Sequence, residues 1–280
     1  RLHRFLALPR RVRRVLATAD GREPARGFAR VMRFDFHSTT DGWRISEVNS
    51  DVPGGFIEAS GFTALVAERY SRLTAPDDPA RALIRAVRRQ IGGDMLVALV
   101  HATAYTDDRQ VMIYLGRMLE AAGTRTCLVS PADLRWRGGR ACVAAGTDAG
   151  PVAALIRFYP AEWLPNLPAA CGWPHFFIGG ETPQCNPGGA LLTQSKRLPL
   201  IWDELGVSIP VWRRLLPETR AVRQADWRSD GGWILKPALG RVGEAVGLRG
   251  VASPVQWRRI VREVCWRGGH WIAQRRFEPI

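Results

Sequence analysis

Apolar and polar residues alternate over residues 30–39, Arg-Val-Met-Arg-Phe-Asp-Phe-His-Ser-Thr, and again over 43–49, Trp-Arg-Ile-Ser-Glu-Val-Asn. The two runs flank Asp41-Gly42, which is the pattern of a β-hairpin. Before it, Arg10–Ala19 reads as a short basic helix. After it, Pro53-Gly54-Gly55 breaks the second strand, and helices are expected over Phe56–Leu73 and Pro79–Ile91, the latter stopped by Gly92-Gly93. An α/β stretch follows. It comprises a buried strand at Met95–His101, a helix at Asp107–Ala122 ended by Gly123, and a strand at Thr126–Val129. A hairpin across Arg135–Val143 and a strand at Ala153–Tyr159 complete it. Five prolines and five glycines between Pro165 and Gly189 predict a long irregular connection. The last third reads as a helix at Ser195–Leu205, a strand at Trp233–Lys236 and a glycine loop at Gly240–Gly243. A helix at Pro254–Cys265 and a strand at Trp271–Arg275 close it.

The hydrophobic fraction of 46% and charged fraction of 24% over 280 residues are ordinary globular values and exclude disorder. No run of eighteen apolar residues occurs, so no transmembrane helix and no membrane partner are expected. Arg1–Arg14 is basic but lacks the apolar core of a signal peptide. Five cysteines without a C-x-x-C point to a reducing, cytoplasmic setting. The net charge of +14 first suggests a polyanionic partner. Its makeup argues otherwise: two of the 40 basic residues are lysines, Lys196 and Lys236, and the other 38 are arginines scattered through almost every segment. That is a coding bias and not a nucleic-acid stripe. In such a background the two lysines become informative, because arginine replaces lysine on a solvated surface but not where a compact ammonium must meet a phosphate.

The hairpin makes a geometric statement. A two-residue loop at Asp41-Gly42 would put Asp35 and Glu47 on opposite faces. A three-residue loop, Thr40-Asp41-Gly42 with Gly42 left-handed, sets Asp35 opposite Glu47 and Arg33 opposite Asn49. The other face then carries Phe34, Phe36 and Val48, which suits a core. Facing carboxylates repel unless a cation lies between them. Asp35, Glu47 and the amide oxygen of Asn49 form the hard oxygen set that Mg²⁺ takes, with Arg33 available to an oxyanion. An exposed polar hairpin face with an ordinary ion pair is the plainer alternative.

Lys236 ends an apolar strand before Pro237-Ala-Leu-Gly-Arg-Val-Gly-Glu244, where loop amides could cover phosphates that the lysine holds. No Walker A and no G-x-G-x-x-G motif is present. The five histidines are dispersed without zinc spacing, and no cysteine carries a nucleophile signature. His37 falls on the Asp35 face, and Cys185 reads as a free thiol.

Arg33-Phe34-Asp35-Phe36 followed by Glu47-Val48-Asn49 resembles the R-F-D-F…E-x-N signature of the glutathionylspermidine synthase family of ATP-grasp ligases. The resemblance extends in order through Ile156-Arg157-Phe158-Tyr159-Pro160-Ala161-Glu162-Trp163, Gln194-Ser195-Lys196, Leu235-Lys236-Pro237 and Trp271-Ile272-Ala273-Gln274. It implies an α/β (α+β) permuted ATP-grasp fold with an associated pre-ATP-grasp-like α/β substrate domain. Residues 1–93 would be the N-terminal part of the core with the Mg-binding hairpin, 94–189 the substrate domain and connection, and 190–280 the lid subdomain. Ile280 follows the hinge strand so closely that part of the nucleotide site is expected to be missing.

By the same resemblance Asp35, Glu47 and Asn49 would bind Mg²⁺, and Arg33 would stabilise the tetrahedral intermediate. Lys196 and Lys236 would hold ATP phosphates under the loop of Gly240, Arg241, Val242, Gly243 and Glu244, while Gln274 would help place adenine. The implied activity is ATP-dependent carboxylate–amine ligation through an acyl phosphate. Its partners would be a small peptide or other carboxylate and an amine such as a polyamine. After Asn49 the chain reads Ser50-Asp51-Val52-Pro53, a departure from the Ala-Asp and small hydroxyl residues of well-studied members, and no amidase domain is present. The identity of both substrates therefore stays open. A degenerate ATP-binding scaffold and an arginine-rich nucleic-acid binder are the alternatives.

Overall fold

The computed structural model describes residues 2–18, 29–70, 72–91, 95–144, 146, 149–241, 243 and 245–280. In chain order the strands are β1 (Arg33–Thr39), β2 (Gly42–Asn49), β3 (Val97–His101), β4 (Thr126–Val129), β5 (Leu134–Arg137), β6 (Arg140–Val143), β7 (Gly150–Pro151), β8 (Ala154–Phe158), β9 (Gln184–Cys185), β10 (Thr219–Ala221), β11 (Trp233–Pro237), β12 (Gly247–Leu248) and β13 (Trp271–Arg275). The chain divides into two units. One gathers Arg1–Arg13, Arg33–Asn49 and Leu191–Ile280; the other gathers Arg14–Met32 and Ser50–Ala190. The hairpin thus clusters with the C-terminal third, whereas residues 50–91 cluster with the α/β stretch.

In the second unit β4, β3, β8 and β9 form a parallel sheet in that order. Parallel strands covered on both faces are apolar throughout, and β3 and β8 are buried at every position. Helices Pro79–Ile91 and Thr106–Ala121 supply the cover, through Leu83, Ile84, Val87, Met112, Leu115 and Leu119. Gly116 lets the second helix lie close to the sheet: a Cβ there would stand 3.0 Å from Leu99 Cδ1. The segment expected to be irregular contains the edge strand β9 and the short helix His175–Ile178, with Phe176 fully buried. Proline and glycine density hid a strand only two residues long. The helix expected over Phe56–Leu73 opens with a π-helical turn, Ile57–Phe62, and continues as an α-helix over Thr63–Arg69. Gly92-Gly93 lies outside the described residues.

The Ile156–Trp163 motif finds a structural role here. The Arg157 and Asp51 side chains are fully buried and form an ion pair. Arg157 also donates to the carbonyls of Asn186 (3.0 Å), Tyr159 and Pro187, and Asp51 Oδ2 accepts the Ala161 amide at 2.9 Å. Asn186 Nδ2 then ties in the carbonyls of Val31, Ser50 and Asp51. Every charge-bearing atom has partners, the condition under which a buried pair is tolerated. Removing one partner strands the other: Asp51→Ala is expected to cost about 3–5 kcal/mol. Urea unfolding at constant slope would show it as a large drop in midpoint.

In the first unit β10, β13, β11 and β12 form an antiparallel sheet in that order. Helix Pro254–Arg267 starts on a capping box between Ser253 and Gln256 and buries Ile260 and Val264 against Trp233, Leu235, Trp271 and Ala273. Among the described residues no helix is long and apolar enough to cross a membrane.

Candidate active site

β1 and β2 pair antiparallel with Arg33 opposite Asn49, Phe34 opposite Val48 and Asp35 opposite Glu47. That is the expected juxtaposition, reached by a different route. The ladder closes at Thr39 opposite Gly42, so the loop is Thr40-Asp41 alone, with Gly42 at φ +93° as the first residue of β2. The register then slips by one between Asp35 and Phe36: Phe36 faces Ile45, Asp35 faces Glu47, and Ser46 is the extra residue of a β-bulge. A two-residue loop alone would have separated the carboxylates; the bulge brings them back onto one face. The apolar face also differs from expectation. Phe34 and Phe36 are exposed and pack edgewise with Trp43 and Trp212, while Ile45 is the buried residue. Aromatic rings there cover each other and do not form a sealed core.

The bulge frees a carbonyl from the ladder, and Lys236 takes it. Lys236 Nζ donates to Ser46 O at 3.1 Å and to Gln274 Oε1 at 2.7 Å. Lys196 Nζ donates to Glu47 Oε1 at 2.9 Å and to Gly240 O at 2.7 Å. An ammonium has three protons, so each lysine keeps one N–H beyond these bonds. Both line a cavity of about 240 Å³ with Ser46, Glu47, Ile234, Pro237, Gly240, Gly243 and Val246. Lys236 is 9% exposed. Burial, reinforced by the neighbouring Lys196 charge and partly opposed by Glu47, lowers its pKa from 10.5 to about 8.

Lys196 is not on a helix as expected. The chain leaves the short helix Leu191–Gln194, turns at Lys196, and resumes as a 3₁₀ helix over Leu198–Leu205. Pro199 lacks the N–H that a continuous helix needs, and the Lys196 amide bonds instead to Ala238 O at 2.9 Å. The turn aims the ammonium at the hairpin.

The remaining expected residues are placed as follows. The Arg33 guanidinium forks onto Asp35, Nε to Oδ1 at 2.7 Å and Nη2 to Oδ2 at 3.0 Å. The Asn49 amide nitrogen is buried without a hydrogen-bond partner. Gln274 is 4% exposed and both ends of its amide are taken, Oε1 by Lys236 and Nε2 by Thr219 Oγ1 at 3.1 Å. The side chain that the resemblance assigns to adenine therefore holds Lys236 instead. Of the loop, Gly240 and Gly243 line the cavity and Arg241 is partly buried; Val242 and Glu244 lie outside the described residues. Ser46 and Thr219 were missed by sequence reasoning. His37 Nε2 lies 2.8 Å from Ser46 Oγ.

Among the described residues no three His, Cys, Asp or Glu side chains cluster as a metal site. Asp35 and Glu47 are two carboxylates, and an amide must supply the third donor. This all-oxygen set suits Mg²⁺, which binds through one or two carboxylates plus substrate phosphates.

Carboxylates opposed across a hairpin, with paired lysines on an antiparallel sheet, match ATP-grasp-type amide-bond-forming ligases, in a mixed α/β chain that also carries a parallel α/β unit. The chain belongs to the glutathionylspermidine synthase preATP-grasp family, which it matches over residues 2–258. None of the curated proteins matches it. Among solved structures, a crystal structure described as "Putative gamma-glutamylcysteine synthetase" from Methylobacillus flagellatus KT is similar at 13% identity and TM-score 0.51. The similarity covers 95% of this chain and 71% of that one. At that identity the likeness is one of fold.

The buried ammonium has a thermodynamic signature. Its folded pKa is depressed, so the fold carries the full penalty below pH 8, where the group is charged in both states. The penalty disappears as pH rises towards 10.5, where the unfolded chain also loses the proton. The stability advantage of Lys236→Met over the native chain is therefore expected to shrink by about 3 kcal/mol between those pH values. Parallel urea titrations of the two proteins measure it.

Proposed function

We propose that the protein is an ATP-dependent carboxylate–amine ligase that forms an amide through an acyl phosphate. The observation that carries this reading is the convergence of the chain's two lysines on one cavity, beside a hairpin whose facing positions are Asp35 and Glu47. Lysine is scarce in this sequence, and both copies present an N–H to the same space.

Asp35, Glu47 and Asn49 would hold Mg²⁺. The unpartnered Asn49 amide fits this assignment, since turning it over presents its oxygen where the chain offers the nitrogen no acceptor. Mg-bound ATP supplies the phosphoryl group that activates a substrate carboxylate. The protein's own part is electrostatic. Lys196 and Lys236 offer point charges to phosphate oxygens from a site largely withdrawn from water, where such contacts are stronger. Gly240 and Gly243 let the loop backbone approach the phosphates. Arg33, beside Asp35, offers a guanidinium to the oxyanion of the tetrahedral intermediate. No cysteine or histidine nucleophile is required, because positioning and charge supply most of such catalysis.

The partition proposed on the same grounds gives 1–93 to the core with its hairpin, 94–189 to a substrate domain and 190–280 to the nucleotide lid. The permuted order of an ATP-grasp belongs to this proposal too, as do a cytoplasmic location and a peptide or other carboxylate paired with an amine. Phosphate release with MgATP, screened across short peptides and amines, tests the reaction. Lys236→Ala and Glu47→Gln are expected to lower turnover at least about 100-fold. Release unchanged in Lys236→Ala overturns the assignment, and ATP binding without release for every pair would favour a nucleotide-binding scaffold.

A further inference from the structure

The hydrogen bonds that end on Lys236 all point one way. Thr219 Oγ1 donates to Pro217 O at 3.0 Å, which commits its only proton. Its lone pair is then free to accept from Gln274 Nε2 at 3.1 Å. That contact turns the Gln274 amide so that Oε1 faces Lys236 Nζ at 2.7 Å. The orientation is fixed from the other end as well, because an ammonium can only donate. Lys236 passes a second proton to Ser46 O, the carbonyl released by the bulge. Strand pairing supports the chain: Gln274 on β13 lies opposite Thr219 on β10 and Ile234 on β11.

We propose that Thr219 and Gln274 are positioning residues that anchor the Lys236 ammonium through a one-way hydrogen-bond chain starting at Pro217 O, leaving its third N–H for the cavity. The chain runs Lys236 to Gln274 to Thr219 to Pro217, donor to acceptor at each step, and it crosses the whole width of the sheet from β11 through β13 to β10. Gln274 contributes through the lysine, not through a base. This deepens the ligase reading only in what the third N–H meets; the anchoring itself stands on the geometry.

The near absence of lysine supplies the experiment. With ε-¹³C-lysine incorporated, the intact protein gives two lysine side-chain signals, and Lys196→Arg assigns them. The Lys236 signal is titrated without nucleotide. Gln274→Glu, which sets a carboxylate against the ammonium, is expected to raise the Lys236 midpoint by about one pH unit or more. Thr219→Val, which keeps the volume but removes the acceptor, frees the amide to turn and is expected to lower the midpoint, while Thr219→Ser restores it. A merely structural threonine would show neither the shift nor the hydroxyl rescue. A midpoint unmoved by both Gln274→Glu and Thr219→Val overturns the proposal. If Gln274→Glu fails to fold, the Thr219→Val and Thr219→Ser pair decides alone. Addition of MgATP to the native protein is a separate arm: a nucleotide-induced shift of the Lys236 signal supports the ligase reading, and its absence counts against that reading while leaving the anchoring result intact.

Discussion

A cation withdrawn from water needs oxygen atoms around it, and the first unit is arranged to give Lys236 two of them. One comes from a side-chain amide on β13 and the other from a backbone carbonyl in β2. An antiparallel ladder normally consumes its carbonyls in strand pairing, so a spare one requires an interruption. The bulge at Ser46 is that interruption. It does a second thing in the same stroke, bringing Asp35 and Glu47 to opposing positions on one face. Phosphate-binding charge and the carboxylate pair thus depend on one extra residue.

The second unit is held by a different kind of charge. Arg157 and Asp51 are sealed from solvent with hydrogen bonds to every side, including three carbonyls from the segment between Tyr159 and Pro187. Regular structure is sparse in that segment, and the guanidinium substitutes for a ladder by gathering carbonyls that would otherwise be orphaned. The contrast with Lys236 is instructive. Arg157 has its donors engaged within the protein, whereas both lysines keep one donor beyond their protein acceptors, which separates a structural cation from one available to a ligand.

Much of this could be read from the sequence. Periodicity found the hairpin, the apolar strands β3 and β8 and the helices that cover them, because uninterrupted burial writes an uninterrupted apolar run. It overlooked β9, whose two residues sit among prolines and glycines, and it extended a helix across Lys196 although Pro199 forbids one. The carboxylate pairing was foreseen with the wrong turn. The correct signal was present: Trp43 and Ile45 are apolar at one parity, and the pattern then changes phase to Val48 with Glu47 and Asn49 polar. Alternation that slips by one residue marks a bulge. Thr219 left no such trace, since a lone threonine on a short strand acquires meaning only when tertiary structure sets it beside Gln274.

A bulge makes arithmetic matter more than chemistry along β2. Exchanging one residue for another between Trp43 and Ser46 changes local packing by degrees. Deleting or inserting a single position there reverses the phase of everything beyond it, sending Glu47 and Asn49 to the aromatic side and Val48 to the lysines. Descendants of this gene can therefore drift in the composition of that stretch, but its length is effectively frozen.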